Sequence, residues 1–225
     1  MRDSLRWSDL ASQQIPATLS WDPSFLTSLS GADVLDLGCG PRPSFEGLEH
    51  FSGRRVGVDS NLAALQAARD AVPDASFIQG DATSLPFPDA GFDLVLCKAL
   101  LTALVYDETC ERALGEAARV LRPAGVLLVA DFLLNETDAY FTDRYRGGKS
   151  IGLPAGAFEV KDGDGEVLYI ARHFAPGWIG EWAGRTPAFK LESYEERPVT
   201  TRSGRSTHGF IASLRRTGGE PSPGS

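Results

Sequence analysis

The sequence predicts an α/β fold, a doubly wound parallel sheet with helices on both faces. Three observations carry that expectation. Short apolar runs alternate with helical patterns at close intervals from residue 31 to residue 134. Each run breaks into glycine or an acid where a strand would end. The 225 residues are 42% hydrophobic, enough for one sizeable core.

Residues 1–30 read as an amphipathic, helical N-terminal cap, with Asp22-Pro23 as a helix-start signal. Val34-Leu35-Asp36-Leu37 then reads as a buried strand ending in the tight turn Gly38-Cys39-Gly40-Pro41. The two glycines remove side chains where the backbone comes close to something, and a helix is expected near Ser44. A dinucleotide-binding G-x-G-x-x-G would need a third glycine, and Pro43 stands there instead.

A second strand, Arg55–Val58, ends at Asp59. Ser60 or Asn61 caps a helix over Leu62–Ala71, with Leu62, Leu65 and Ala68 on its buried face. Ser76–Gln79 is a third strand, ending in Gly80-Asp81-Ala82. Phe92–Cys97 is a fourth. Asp107 caps the next helix, in which Cys110, Leu114, Ala117 and Leu121 share a face. Val126–Asp131 is a fifth strand.

From Asn135 the rhythm changes. Ala157–Lys161 and Val167–Ala171 flank the turn sequence Asp162-Gly163-Asp164-Gly165, a hairpin. A helix is expected over His173–Trp182. Lys190–Glu195 and Gly209–Leu214 read as two late antiparallel strands. Residues 31–216 therefore form the main domain, with an inserted cap over about 135–182 and a disordered Gly/Pro/Ser-rich tail over 217–225.

A net charge of −8 disfavours nucleic acid as a partner. No apolar stretch is long enough to span a membrane, and the N-terminus lacks a signal-peptide core. Cys39, Cys97 and Cys110 form no Cys-x-x-Cys pair and, with three histidines, give no metal signature. A reduced, cytoplasmic setting fits.

Ligands of open α/β sheets sit at the carboxyl ends of the strands. There the chain places Gly38-Cys39-Gly40, then Asp59 nineteen residues after Gly40, Asp81-Ala82, Cys97-Lys98 and Asp131. A carboxylate at Asp59 suits a ribose diol, and Asp81-Ala82 suits an adenine edge. Several acids around one ligand repel a pyrophosphate and favour a cationic nucleoside.

These residues resemble the ordered motifs of the class I S-adenosylmethionine-dependent methyltransferases. Val34–Pro41, Val58-Asp59, Gly80-Asp81-Ala82, Phe92–Val95 and Arg119–Gly125 carry the resemblance, within residues 31–134. It implies a Rossmann-like seven-stranded sheet with an antiparallel last strand, and S-adenosyl-L-methionine as methyl donor. Under it, Gly38, Cys39 and Gly40 cradle the methionine part and Asp36 orients their loop. Asp59 holds the ribose, with Ser60 and Asn61 beside the adenine. Asp81 and Ala82 meet the adenine, and the Cys97-Lys98 backbone meets the amino group. Many small-molecule members carry a histidine after the fourth strand, where this chain has Leu101–Leu104.

A base must then come from elsewhere. His173, where the inserted hairpin returns towards the sheet, is the first candidate; capping the next helix or packing under the cap is its plain alternative. Asp131 is the second candidate. Tyr106, Tyr140 and Tyr145 are either substrate-orienting or packing residues. The tryptophans Trp7, Trp21, Trp178 and Trp182 all lie outside the motif-bearing segment. They either wall an acceptor pocket or pack helices on the sheet. The acidic balance and the small cap point to a small-molecule acceptor. The rivals are an RNA nucleoside methyltransferase and a non-catalytic S-adenosylmethionine-binding protein.

Overall fold

The computed structural model describes residues 19, 21, 31–45, 52–201 and 204–218. The expected N-terminal helices, the helix near Ser44 and most of the tail lie outside the described residues.

Parallel strands β1 (Val34–Leu37), β2 (Arg55–Asp59), β3 (Ser76–Gln79), β4 (Phe92–Lys98) and β5 (Leu121–Phe132) are followed by β8 (Phe189–Thr200) and β9 (Ser206–Arg216). Together they form a seven-stranded sheet in the order β3-β2-β1-β4-β5-β9-β8. β9 runs antiparallel to both neighbours, with Val126 opposite Arg215. The strand order reverses beside β1, so the ends of β1 and β4 open a crevice there. The hairpin β6 (Ala157–Lys161) and β7 (Val167–Arg172) forms a separate two-stranded sheet.

β1 is buried on both faces, and its alternation explains the two layers. Leu35 and Leu37 point to the side of Cys110, Leu114, Phe210 and Trp182. Val34 points to the side of Leu65, Ala68 and Phe77. The helices supplying these layers are α1 (Leu62–Ala71) and α3 (Asp107–Val120). Asn61 caps α1, its Oδ1 accepting from the N–H groups of Ala63 and Ala64.

Several expectations need correction. Leu62 is 53% exposed, and the buried face of α1 is Ala64, Leu65 and Ala68. The helix starts beyond the end of β2, so its first turn overhangs the sheet. Asp107 does not cap α3. It is the first helical residue, and its carboxylate accepts from Arg172 Nη1 at 2.8 Å and Trp178 Nε1 at 3.2 Å. The guanidinium of Arg172, a residue only 6% exposed, needs that counter-charge. The helix expected over His173–Trp182 is instead α5 (Trp178–Arg185). His173 N–H donates to Gly156 O and Phe174 N–H to Phe132 O, so both are tied to neighbouring strands and cannot start a helix. Trp178 and Trp182 resolve towards packing, joining the main core beside Phe174 and Phe189, and Trp7 lies outside the described residues.

Two helices were absent from the expectation: α2 (Leu101–Leu104) and α4 (Ala139–Ser150). α2 is a single turn, too short for periodicity. It is bracketed by positive-φ residues Ala99 (φ 53°) and Val105 (φ 60°). Tyr106 N–H closes back on Leu104 O, so Val105 sits at the centre of a strained γ-turn. α4 has a Gly-Gly pair that hides it, although Asp138 caps it and Phe141, Tyr145 and Gly148 recur on one face.

Candidate functional site

The site begins where β1 ends. Gly38 (φ 70°) and Gly40 (φ 58°) take left-handed conformations that side chains resist. Gly38 N–H and Cys39 N–H both donate to Val58 O, at 2.8 and 3.0 Å, which pins the loop to β2. A Cβ on Gly38 would lie 2.7 Å from Leu100 Cδ1, whereas one on Gly40 would meet open space. The loop is therefore packed behind Gly38 and open at Gly40.

Two carboxylates hold this loop. Asp36, 1% exposed, accepts from Ser44 N–H at 2.5 Å. Burial pushes its carboxyl up to about 6, the nearby Asp59 charge adding to the rise while Ser44 and Lys98 oppose it. Asp59 accepts from Gly40 N–H at 2.8 Å and from Asn61 N–H at 2.9 Å. Burial raises its pKa, against the backbone bonds of Asn61, Gly40 and Ser60. Each carboxylate oxygen accepts more than one hydrogen bond, so Asp59 keeps capacity for a ligand's hydroxyls.

The other strand ends complete the edge. Gly80 N–H donates to Asp59 O at 3.1 Å, which brings the end of β3 against the end of β2. Gln79 Nε2 donates to Ser60 O. Asp81 folds into its own turn, Oδ1 accepting from Thr83 N–H and Thr83 Oγ1, both at 2.8 Å, with Ala82 beside it. Lys98 extends over Trp21 at 6.0 Å from the ring centre. The Cys39 and Cys97 side chains are buried with the apolar layers, and burial pushes both thiols well up. Parallel pairing thus brings Asp36, Gly38, Cys39, Gly40, Asp59, Ser60, Asn61, Asp81, Ala82, Cys97 and Lys98 to one edge of the sheet.

This donor set fits a cationic nucleoside. Its charges are Asp36, Asp59 and Asp81 against Lys98, which would repel a pyrophosphate and attract an ammonium or sulfonium. Gly40 leaves the approach open where a Cβ would stand.

The two base candidates lie at β5. Asp131 is 0% exposed. Its Oδ2 accepts from Thr102 N–H at 3.0 Å and its Oδ1 from Phe132 N–H at 2.8 Å. Burial pushes it up to about 7, against those bonds and one from Leu101. The carboxyl is sealed from solvent and anchors the start of α2. His173 is 4% exposed, and burial, with the charge of Arg144, pushes it down to about 3. Its Nδ1 is 2.7 Å from Tyr145 Oη. Phe132 stacks on it at 5.5 Å, and Phe141, Tyr145 and Phe158 surround it at 5.5, 5.8 and 5.0 Å. It packs under the cap and does not cap a helix. Tyr106 is half exposed, and Tyr140 is covered by the guanidinium groups of Arg144 and Arg205, at 4.7 and 3.7 Å.

Sequence reasoning missed Thr102, Phe132, Phe141, Phe158 and Arg172. Thr102 Oγ1 donates to Arg172 O at 2.7 Å, and Arg172 Nη1 donates to Val105 O at 2.9 Å, so the cap and α2 are stitched together. Each lies in a different element, and no local spacing signals the contact.

Comparison with known proteins places this site among methyltransferase-like folds. A model described as "Methyltransferase domain" matches residues 35–129, the span from β1 through β5. A SAM-dependent methyltransferase structure from Methanosarcina mazei superposes with a TM-score of 0.82 at 26% identity, over 88% of this chain and 99% of that one. The chain is similar to the S-adenosylmethionine-dependent methyltransferases, in sequence over residues 35–129 and in fold over most of its length. The seven-stranded sheet with its antiparallel β9 shares its fold with that structure. Among its relatives, a demethylmenaquinone methyltransferase from Renibacterium salmoninarum is 33% identical over 144 residues, 64% of this chain and 59% of that protein. A trans-aconitate 2-methyltransferase from Azoarcus is 36% identical over 139 residues, 56% of this chain and 53% of that protein. The chain thus spans a little over half the length of these curated relatives. No helix among the described residues is long and apolar enough to cross a membrane.

Proposed function

We propose that this chain transfers a methyl group from S-adenosyl-L-methionine to a small-molecule acceptor. The observation that carries this is the acid-and-glycine edge: Asp59 locked by Gly40 and Asn61, with an open approach at Gly40. The donor supplies a methyl on a sulfonium, with a thioether as leaving group. The chain's part is to bind and align. Asp59 takes the ribose hydroxyls, with Ser60 and Asn61 at its side. Gly38, Cys39 and Gly40 present backbone to the methionine part, on a loop that Asp36 holds through Ser44. Asp81 and Ala82 take the adenine edge, and the Cys97-Lys98 backbone takes the amino group. Alignment and exclusion of water account for roughly 7–11 kcal/mol of barrier in favourable systems. Asp131 acts here as a positioning residue for α2, not as a base.

The distribution of basic side chains supports a small acceptor over RNA. Arg215 pairs with Glu192, Arg146 with Asp143 and Arg197 with Glu195. Arg215 also lies opposite Val126, far from the strand ends that form the site. Names of relatives suggest acceptors rich in carbonyl or carboxylate oxygen, such as demethylmenaquinone and trans-aconitate.

The test is turnover. The protein is mixed with S-adenosylmethionine and, in turn, demethylmenaquinone, trans-aconitate and a short RNA. S-adenosylhomocysteine formed with either small molecule is the expected result. Formation with RNA alone favours the rival substrate class. Donor binding with no product from any acceptor favours a binding protein without chemistry.

A further inference from the structure

We propose that His173 is a specificity-determining hydrogen-bond donor: its Nε2–H, fixed by Tyr145, holds an oxygen of the methyl acceptor. This rests on the methyltransferase reading and names the chemistry its acceptor must carry.

The first step is the proton order. Asn135 N–H lies 3.2 Å from Tyr145 Oη and can only donate to it. If His173 Nδ1 also donated, the Tyr145 proton would be left without a partner in a half-buried position. Tyr145 therefore donates across the 2.7 Å contact, and Nδ1 accepts. The proton of the neutral ring then sits on Nε2. The ring is neutral because burial, reinforced by the charge of Arg144, keeps it from ionising.

The second step is what Nε2 meets. It makes no hydrogen bond among the described residues. Nor is it one of the fully buried polar atoms that lack a partner, such as Arg172 Nε and Thr207 Oγ1. The small accessible surface of His173 thus leaves room for a partner at Nε2.

The third step is place. His173 lies against the carboxyl end of β5, stacked on Phe132, at the same edge of the sheet as the donor residues. Apolar packing alone would be served better by phenylalanine, which carries no polar atoms to desolvate. Phe132, Phe141 and Phe158 already surround the imidazole and hold it in one orientation. An aromatic cage with one fixed N–H selects a flat, largely apolar acceptor bearing a carbonyl, carboxylate or phenolate oxygen. A general base at this position would need the opposite tautomer or an accessible lone pair on Nε2.

The test uses the protein labelled with nitrogen-15 at histidine, with S-adenosylhomocysteine present. The expected spectrum shows His173 as the Nε2–H tautomer, unchanged between pH 5.5 and 8.5. Acetophenone, a flat ketone, is the probe; isopropylbenzene has the same outline without the oxygen. Acetophenone should move the Nε2–H resonance downfield and isopropylbenzene should not. His173→Gln keeps an amide N–H and should hold acetophenone within about threefold of the native protein, while His173→Phe should lose about tenfold, the worth of one hydrogen bond. Tyr145→Phe should admit the Nδ1–H tautomer, and thermal melts confirm that each variant folds. An Nδ1–H tautomer in the native protein overturns the proposal, as do equal shifts, or none, with the two probes. Failure of S-adenosylhomocysteine to bind would sink the methyltransferase reading alone, because the tautomer is also recorded on the protein without it and that spectrum tests the proton order by itself.

Discussion

At the ends of β1 and β2, buried carboxylates are held by backbone N–H groups: Asp36 by Ser44, Asp59 by Gly40 and Asn61. At the end of β5, a buried imidazole is held by Tyr145 on α4 and by rings from β5, α4 and β6. The first region is a backbone device. It works wherever the turn geometry and the acid are present, so relatives with different acceptors can share it. The second is a side-chain device assembled across the cap. Its contacts depend on which aromatic residues stand at scattered positions, so it is the natural place for acceptor choice.

That contrast can be broken by variants that hit one region and spare the other. The largest expected effect is at Phe141, 2% exposed beneath the cap. Phe141→Ala should cost about 3–5 kcal/mol of stability by chemical denaturation while leaving affinity for S-adenosylhomocysteine unchanged. Gly38→Ala should act on the donor edge instead. It forces a side chain into a left-handed conformation 2.7 Å from Leu100, so donor affinity measured by calorimetry should fall by about 2 kcal/mol. Gly40→Ala, with open space around its Cβ, should lose less. Asp59→Ala should weaken the donor by about 1–3 kcal/mol through loss of a charge-assisted acceptor.

The two regions also sharpen each other in pH dependence. Asp131 is pushed up to about 7 in the folded chain. Between about pH 4, the ordinary carboxylate value, and 7, the folded state binds the extra proton. Its contribution to stability therefore falls as pH rises through that window and is flat above it. Asp36, at about 6, has the same sign over a narrower window. His173, pushed down to about 3, has the opposite sign: its contribution falls as pH drops from about 6.5. Denaturation curves from pH 4 to 8 should steepen in favour of acid for His173→Gln and in favour of neutral pH for Asp131→Asn.

The same contrast explains what the sequence disclosed. β1, β2, β3, α1 and the glycine turn after β1 were legible because each signal is local. An apolar run followed by Gly38 and Gly40 marks a turn whatever surrounds it, and Asn61 caps the helix that follows. The late strands Phe189–Thr200 and Ser206–Arg216 were readable as apolar runs, though shorter than they are. α4 was not, because its buried face is carried by Phe141, Tyr145 and Gly148 among polar residues and a glycine pair. Asp107 reads as a cap until Arg172, sixty-five residues away, claims its carboxylate. Nothing local in the sequence signals that Thr102, twenty-nine residues before Asp131, donates its N–H to that carboxylate. Long-range polar contacts leave no periodicity behind them.

One measurement bears most directly on the claim that the glycine-and-acid edge is a donor site: calorimetric titration of the native chain and of Asp59→Ala with S-adenosylhomocysteine. The account predicts one site per chain in the native protein, weakened by about 1–3 kcal/mol in the variant. Equal affinity in the two proteins, or no binding to a folded native chain, would contradict it.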